Sequence, residues 1–117
     1  MNTELLDQAQ LEEILALARL RPEFPERMLA LFLEAANEAL EGCLGAWMTN
    51  DVKQLRSFAH RLKGSAASLG ALRLRQQAER LETDINLDVH DQRRCLDDLE
   101  HTITATHQAY SDWLQQL

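Results

Sequence analysis

The spacing of apolar residues constrains this chain more than any other feature. Over most of its 117 residues they recur in steps of three and four. Val52, Leu55, Ala59, Leu62, Ala66 and Leu69 form one stripe, and Leu74, Ala78, Leu81 and Ile85 a second. Leu96, Leu99, Ile103, Thr106, Tyr110, Trp113 and Leu117 form a third. That period belongs to helices with one buried face. The segment before them carries two stripes about 100° apart: Met28, Phe32, Ala35, Ala39, Cys43 and Ala46, then Leu29, Leu33, Ala36, Leu40, Leu44 and Trp47. A helix that touches two bundle neighbours needs such a wide face; part of the second stripe is also a candidate docking surface.

Punctuation divides the stripes into five helices, over residues 7–19, 23–48, 51–69, 71–86 and 91–116. Asp7 is placed to cap the first, with Gln10 completing a capping box and Leu6 and Leu11 forming a hydrophobic staple. Arg21-Pro22-Glu23-Phe24-Pro25 breaks the chain, and proline suits a helix's first turn. Thr49-Asn50-Asp51 supplies the next N-cap and Gly70 a C-terminal stop. Short loops between amphipathic helices make antiparallel neighbours. The expected fold is all-α: an antiparallel up-down four-helix bundle with a short additional N-terminal helix, one domain over residues 1–117.

Composition narrows the function. With 4 Gly, 2 Pro and 45% hydrophobic residues, the chain has material for one core and no linker or low-complexity tract. A net charge of -7 argues against nucleic acid as the main partner. No apolar run is long enough to span a bilayer, and Met1-Asn2-Thr3-Glu4 does not resemble a signal peptide. Cys43 and Cys95 fall at helix-interior positions and read as buried free thiols, which fits a reducing cytoplasm.

The segment that carries chemistry runs from Ala59 to Ala71. Measured from the third helix's stripe, His60 lies about 130° from the centre of the buried face, so its imidazole points to solvent. Arg56, Ser57, Lys63, Gly64 and Ala67 are its neighbours on that face. Gly64 sits in mid-helix, where glycine costs about 1 kcal/mol relative to alanine. On the outward side, the missing side chain leaves room for a second macromolecule to reach the imidazole, and Ala67 continues the bare strip. Lys63 sets an ammonium where a phosphoryl group on His60 would carry negative charge, and Arg56 adds a cation one turn earlier. Imidazole is a competent nucleophile at neutral pH, and phosphoryl transfer needs mainly positioning and charge stabilisation. A site this sparse suffices if the partner brings the metal ion and the acceptor carboxylate.

His60, Leu62, Lys63, Gly64, Ser65, Ala66, Leu69, Gly70 and Ala71 resemble the motif of histidine-containing phosphotransfer (HPt) domains of bacterial phosphorelays. Leu31-Phe32-Leu33 on the preceding helix and Leu81-Glu82 on the following one extend the resemblance to nearly the whole chain. It implies a phosphocarrier without ATP-dependent kinase activity, in which His60 Nε2 exchanges a phosphoryl group with receiver-domain aspartates. The implied partners are response-regulator receivers and a hybrid sensor kinase. Mg²⁺ would sit on the receiver and no cofactor on this chain, which would act as a monomer. Some members place a Gln on the neighbouring helix near the imidazole; Glu82 stands at that place here and would hold Nδ1 protonated. The rival reading is a helical adaptor that sequesters a receiver or other regulator through the same face without transfer, for which the nucleophile would be superfluous.

The remaining histidines look ordinary. His90 reads as a loop residue. His101 and His107, six apart on the fifth helix, diverge by about 120° and cannot share a metal as an i, i+4 pair could. No paired inward ligands support a metal- or cofactor-carrying bundle.

Overall fold

The computed structural model describes residues 4–117, which form five helices: α1 (Gln8–Ala18), α2 (Phe24–Met48), α3 (Val52–Leu69), α4 (Leu72–Thr83) and α5 (Val89–Gln115). Among the described residues there is no strand, only an isolated antiparallel bridge between Leu6 and Ala71. Helices α2 to α5 pack in a closed ring of neighbours, α2 on α3, α3 on α4, α4 on α5 and α5 on α2, while α1 lies against α2. This is the expected bundle with its extra N-terminal helix.

The stripes form the core. Leu55, Ala59, Leu62, Ala66 and Leu69 of α3, Leu74, Ala78 and Leu81 of α4, and Leu96, Leu99, Ile103 and Tyr110 of α5 are all buried. On α2, Phe32, Ala39, Cys43 and Ala46 are buried from one stripe and Leu29, Ala36 and Leu40 from the other. The wide face of α2 is therefore core, shared between α3 and α5. Burying a leucine fully stabilises a fold by about 1.5–3 kcal/mol, so α3, with five buried apolar positions, is well anchored. Three stripe members do not join: Val52, Ile85 and Leu117 are exposed.

Four local expectations need correction. Asp7 caps α1 by accepting from Ala9 N at 3.0 Å, but the capping box does not form. The Asp7 N–H that Gln10 would have satisfied donates instead to Gly70 O at 2.7 Å, and Gln10 Nε2 donates to Ser68 O at 3.4 Å. Helix α4 ends at Thr83 rather than 86, because Asp84 is extended and its Oδ1 accepts from Asn86 N at 3.0 Å, a local turn that competes with helix. Ile85 consequently lies outside the helix. Helix α5 starts at Val89 rather than 91, where Asp88 and Asp91 cap each other's backbone N–H at 2.7 and 3.2 Å. His90 thus belongs to its first turn, not a loop. Asp91 accepts from the Asp88 backbone and from Arg94, which holds its carboxyl below the usual range.

Two corners fix α3. Asp51 caps its N-terminus by accepting from Gln54 N at 3.1 Å. Gly70 ends it in the left-handed region at φ 78°, which favours glycine, with its N–H on Ala66 O and Ala67 O. Both thiols are buried and free. Burial pushes the Cys43 thiol up to about 12 and raises that of Cys95.

Candidate functional site

Because Ala59 and Leu62 are fully buried, the residues between and just after them must point outward or sideways. His60 does point outward, with 66% of its side chain exposed. Helix α4 runs antiparallel beside α3, and its buried Leu81 turns the next residue, Glu82, toward the imidazole. Glu82 Oε2 lies 2.6 Å from His60 Nδ1, and Oε1 accepts from Lys63 Nζ, also at 2.6 Å. One carboxylate therefore engages two residues a helical turn apart on α3.

The electrostatics follow from that geometry. The hydrogen bond from Lys63, opposed by partial burial and reinforced by the His60 contact, holds the Glu82 carboxyl below the usual carboxylate range. Glu82 is thus ionised at neutral pH and offers only acceptors. Nδ1 must then carry the ring proton, an assignment made from the network, which leaves the Nε2 lone pair free.

The structure brings His60, Lys63 and Glu82 into one cluster, with Gly64 and Ala67 exposed along the same face and Arg56 half-buried one turn before. A Cβ built on Gly64 would meet nothing within 4 Å, so no packing inside the bundle requires the glycine. A shallow groove runs alongside, lined by Glu38 and Ala39 of α2 and by Arg61, Gly64 and Ser65 of α3. The ammonium of Lys63 differs from expectation: it is held by Glu82 rather than waiting beside the imidazole. Sequence spacing could not show this, because the contact crosses from α3 to α4. The buried Leu74, Ala78 and Leu81 were the available signal, since they fix which way Glu82 turns. His90 and His101 are exposed and His107 half-buried, all on α5 and away from the cluster. Among the described residues, no group of three or more His, Cys, Asp or Glu side chains could hold a metal ion.

The bundle presents the imidazole of His60 on a bare, solvent-facing turn of α3, with Nδ1 engaged by Glu82. A family model described as the Hpt domain matches residues 27–115. The chain belongs to that family and is a phosphorelay intermediate, a phosphocarrier whose class works with receiver domains. Among solved structures it is similar to histidine-containing phosphotransfer protein B (HptB) from Pseudomonas aeruginosa PAO1. That match has a TM-score of 0.76 and 20% identity over 99% of each chain. A rice protein described as a histidine-containing phosphotransfer protein has a TM-score of 0.59 and 19% identity, over 94% of this chain and 85% of that one. These likenesses concern the fold. No curated protein matches the chain. No helix among the described residues is long and apolar enough to cross a membrane.

Proposed function

We propose that His60 is the residue that carries the phosphoryl group and that Glu82 positions it. The observation that carries this reading is the 2.6 Å contact between Nδ1 and an ionised Glu82 on an otherwise exposed imidazole. Nε2 attacks the phosphorus of a receiver's aspartyl phosphate. The N–P bond forms, the P–O bond breaks, and the electron pair leaves with the aspartate carboxylate. The proton stays on Nδ1, so the phosphorylated ring is cationic, and the Glu82 carboxylate stabilises that charge. The reverse step hands the group to a second receiver aspartate. Gly64 and Ala67 let the receiver approach, and Lys63 can leave Glu82 to meet a phosphoryl oxygen, a charge-assisted contact.

In this reading Mg²⁺ is brought by the receiver, where it supplies charge neutralisation, and the phosphoryl group comes from a receiver rather than from ATP. The partners are response-regulator receivers, including that of a hybrid sensor kinase. The chain works in the cytoplasm as a monomer, without a cofactor of its own. Two buried free thiols suit a reducing compartment.

The test is label transfer from each phosphorylated receiver of the same cell. His60→Gln should remove all acid-labile, alkali-stable phosphate while circular dichroism stays unchanged. Label persisting on that variant would refute the assignment.

A further inference from the structure

Charge is divided unequally in this chain. Helices α3 and α4 carry seven of the 12 Lys and Arg but only two of the 19 Asp and Glu. They are net +5, the remainder is net -12, and together these make the overall -7. The site therefore sits on a basic pair of helices in an acidic molecule.

We propose that the outward α3–α4 face is an electrostatic landing surface for the acidic phosphorylation pocket of a receiver domain. Lys53 and Arg75, on either side of His60, steer the approach. This rests on the relay reading above and adds two residues that play no part in the chemistry. Lys53 and Arg56 precede His60 by seven and four residues and Lys63 follows by three, so all lie within about 60° of it around α3. Arg75 precedes Glu82 by seven, within about 20° of it around α4. It also lines a hollow with Ala67, which places it at the far end of the His60 face. Lys53 and Arg75 are exposed. Among the described residues, neither they nor Arg56 have an ion-pair partner.

The anions nearby are few. Glu82 has both oxygens engaged by His60 and Lys63. Glu79, exposed and about 60° from Glu82 around α4, and Asp7, which lines the same hollow as Arg75 while its carboxylate accepts from Ala9 N, are the other carboxylates on that side. Glu38 borders the groove on the α2 side and marks where the basic surface ends. An aspartyl phosphate, with the carboxylates that hold its divalent cation, remains net anionic, because one dication does not neutralise the set. Such a pocket is drawn to this face and repelled by the other helices, so charge favours the one orientation that brings aspartate to histidine.

The range of the effect defines its signature. Lys53 lies about 10 Å along the axis from His60. The screening length is about 8 Å at 0.15 M salt and about 30 Å at 0.01 M. The two cations should therefore act on encounter, strongly at low salt and weakly at high salt, with no effect once the complex has formed.

The experiment is single-turnover transfer from a labelled phospho-receiver at varied concentration, which separates the second-order rate constant from the saturating rate. Lys53→Glu with Arg75→Glu should lower the second-order constant about tenfold at about 0.02 M salt and under about twofold at about 0.5 M. The saturating rate should not change. Arg21→Glu with Arg94→Glu, exposed cations outside α3 and α4, makes the same change in net charge and should alter the constant by less than about twofold. Steering is overturned if the first pair matches wild type at low salt, or if both pairs fall alike. It is also overturned if duplex DNA binds wild type but not the first pair while transfer is untouched; the face would then serve nucleic acid. If wild type accepts phosphoryl from no receiver at all, the relay reading fails and steering falls with it.

Discussion

The seam between α2 and α3 and the outward face of α3 each contain a mid-helix glycine, and the two glycines serve opposite surroundings. A Cβ at Gly42 would stand 2.4 Å from the Phe58 ring, which lies against the backbone of α2 and carries the Arg61 guanidinium over it at 5.4 Å from the centroid. A Cβ at Gly64 would meet nothing. Helix propensity disfavours both residues equally. At Gly42 the compensation is internal, a close approach of two helices. At Gly64 the bundle offers none, as at Gly45 of α2, and in the proposed reading the bare backbone at Gly64 serves the receiver that comes close to His60. In that reading the difference separates what the fold requires, at a glycine of α2 packed on α3, from what the partner requires, at a glycine of α3 itself.

The largest effect that sharpens this contrast is on Gly64. Gly64→Gln should slow transfer by about 100-fold, roughly 2.7 kcal/mol of barrier. Stability should rise by a few tenths to about 1 kcal/mol, the helix-propensity gain. Gly42→Ala should do the reverse, costing about 1–3 kcal/mol in denaturant unfolding through overpacking against Phe58, with the saturating transfer rate kept. Transfer at the wild-type rate in Gly64→Gln would erase the distinction.

Much of this was legible beforehand, and the illegible part has a physical cause. The stripe from Leu55 to Leu69 defined a buried face, and a buried face defines its opposite, so His60, Gly64 and Ala67 could be placed outward from spacing alone. Cross-helix contacts could not. The Lys63–Glu82 ion pair and the Phe58 ring on Gly42 depend on how two helices lie side by side, which no single-helix period encodes. Helix ends failed where short polar side chains had two partners to choose from. Asp84 turned on Asn86, Asp88 capped a helix that spacing had started only at residue 91, and Gln10 went to Ser68 rather than back to Asp7.

A smaller effect is expected at Lys63. In the proposed reading its ammonium exchanges Glu82 for a phosphoryl oxygen, which makes it a contributor rather than a requirement. Lys63→Ala should slow transfer about tenfold, roughly 1.4 kcal/mol, in the same single-turnover assay. Lys63→Arg should recover only part of the rate, because a planar fork cannot replace a compact point charge at close range. Wild-type rates in Lys63→Ala at both low and moderate salt would remove the cation from the mechanism.

The smallest effect concerns pH. Glu82 has a folded-state value below its ordinary 4.5, so its ionised form favours the fold. That contribution is fully present above about 4.5 and is lost as pH falls through the lower folded value. Wild type should exceed Glu82→Gln in stability at pH 6 by a few tenths to about 1 kcal/mol, as for other ion pairs near the surface. The gap should close in acid. Thermal unfolding of both proteins between pH 6 and 3 checks it, and a gap that widens in acid would contradict the ionised Glu82 on which the tautomer of His60 depends.

The segment before α1 is fastened to the corner where α3 meets α4. Asp7 N donates to Gly70 O at 2.7 Å, Leu72 N donates to Leu5 O at 2.9 Å, and Leu6 bridges Ala71 between them. The consequence is a buckle: two amides, 65 residues apart in the chain, can exchange with solvent deuterium only when the same few bonds let go. Asp7 and Leu72 should therefore exchange as one event. That same opening would slacken the end of α3, three residues from Ala67.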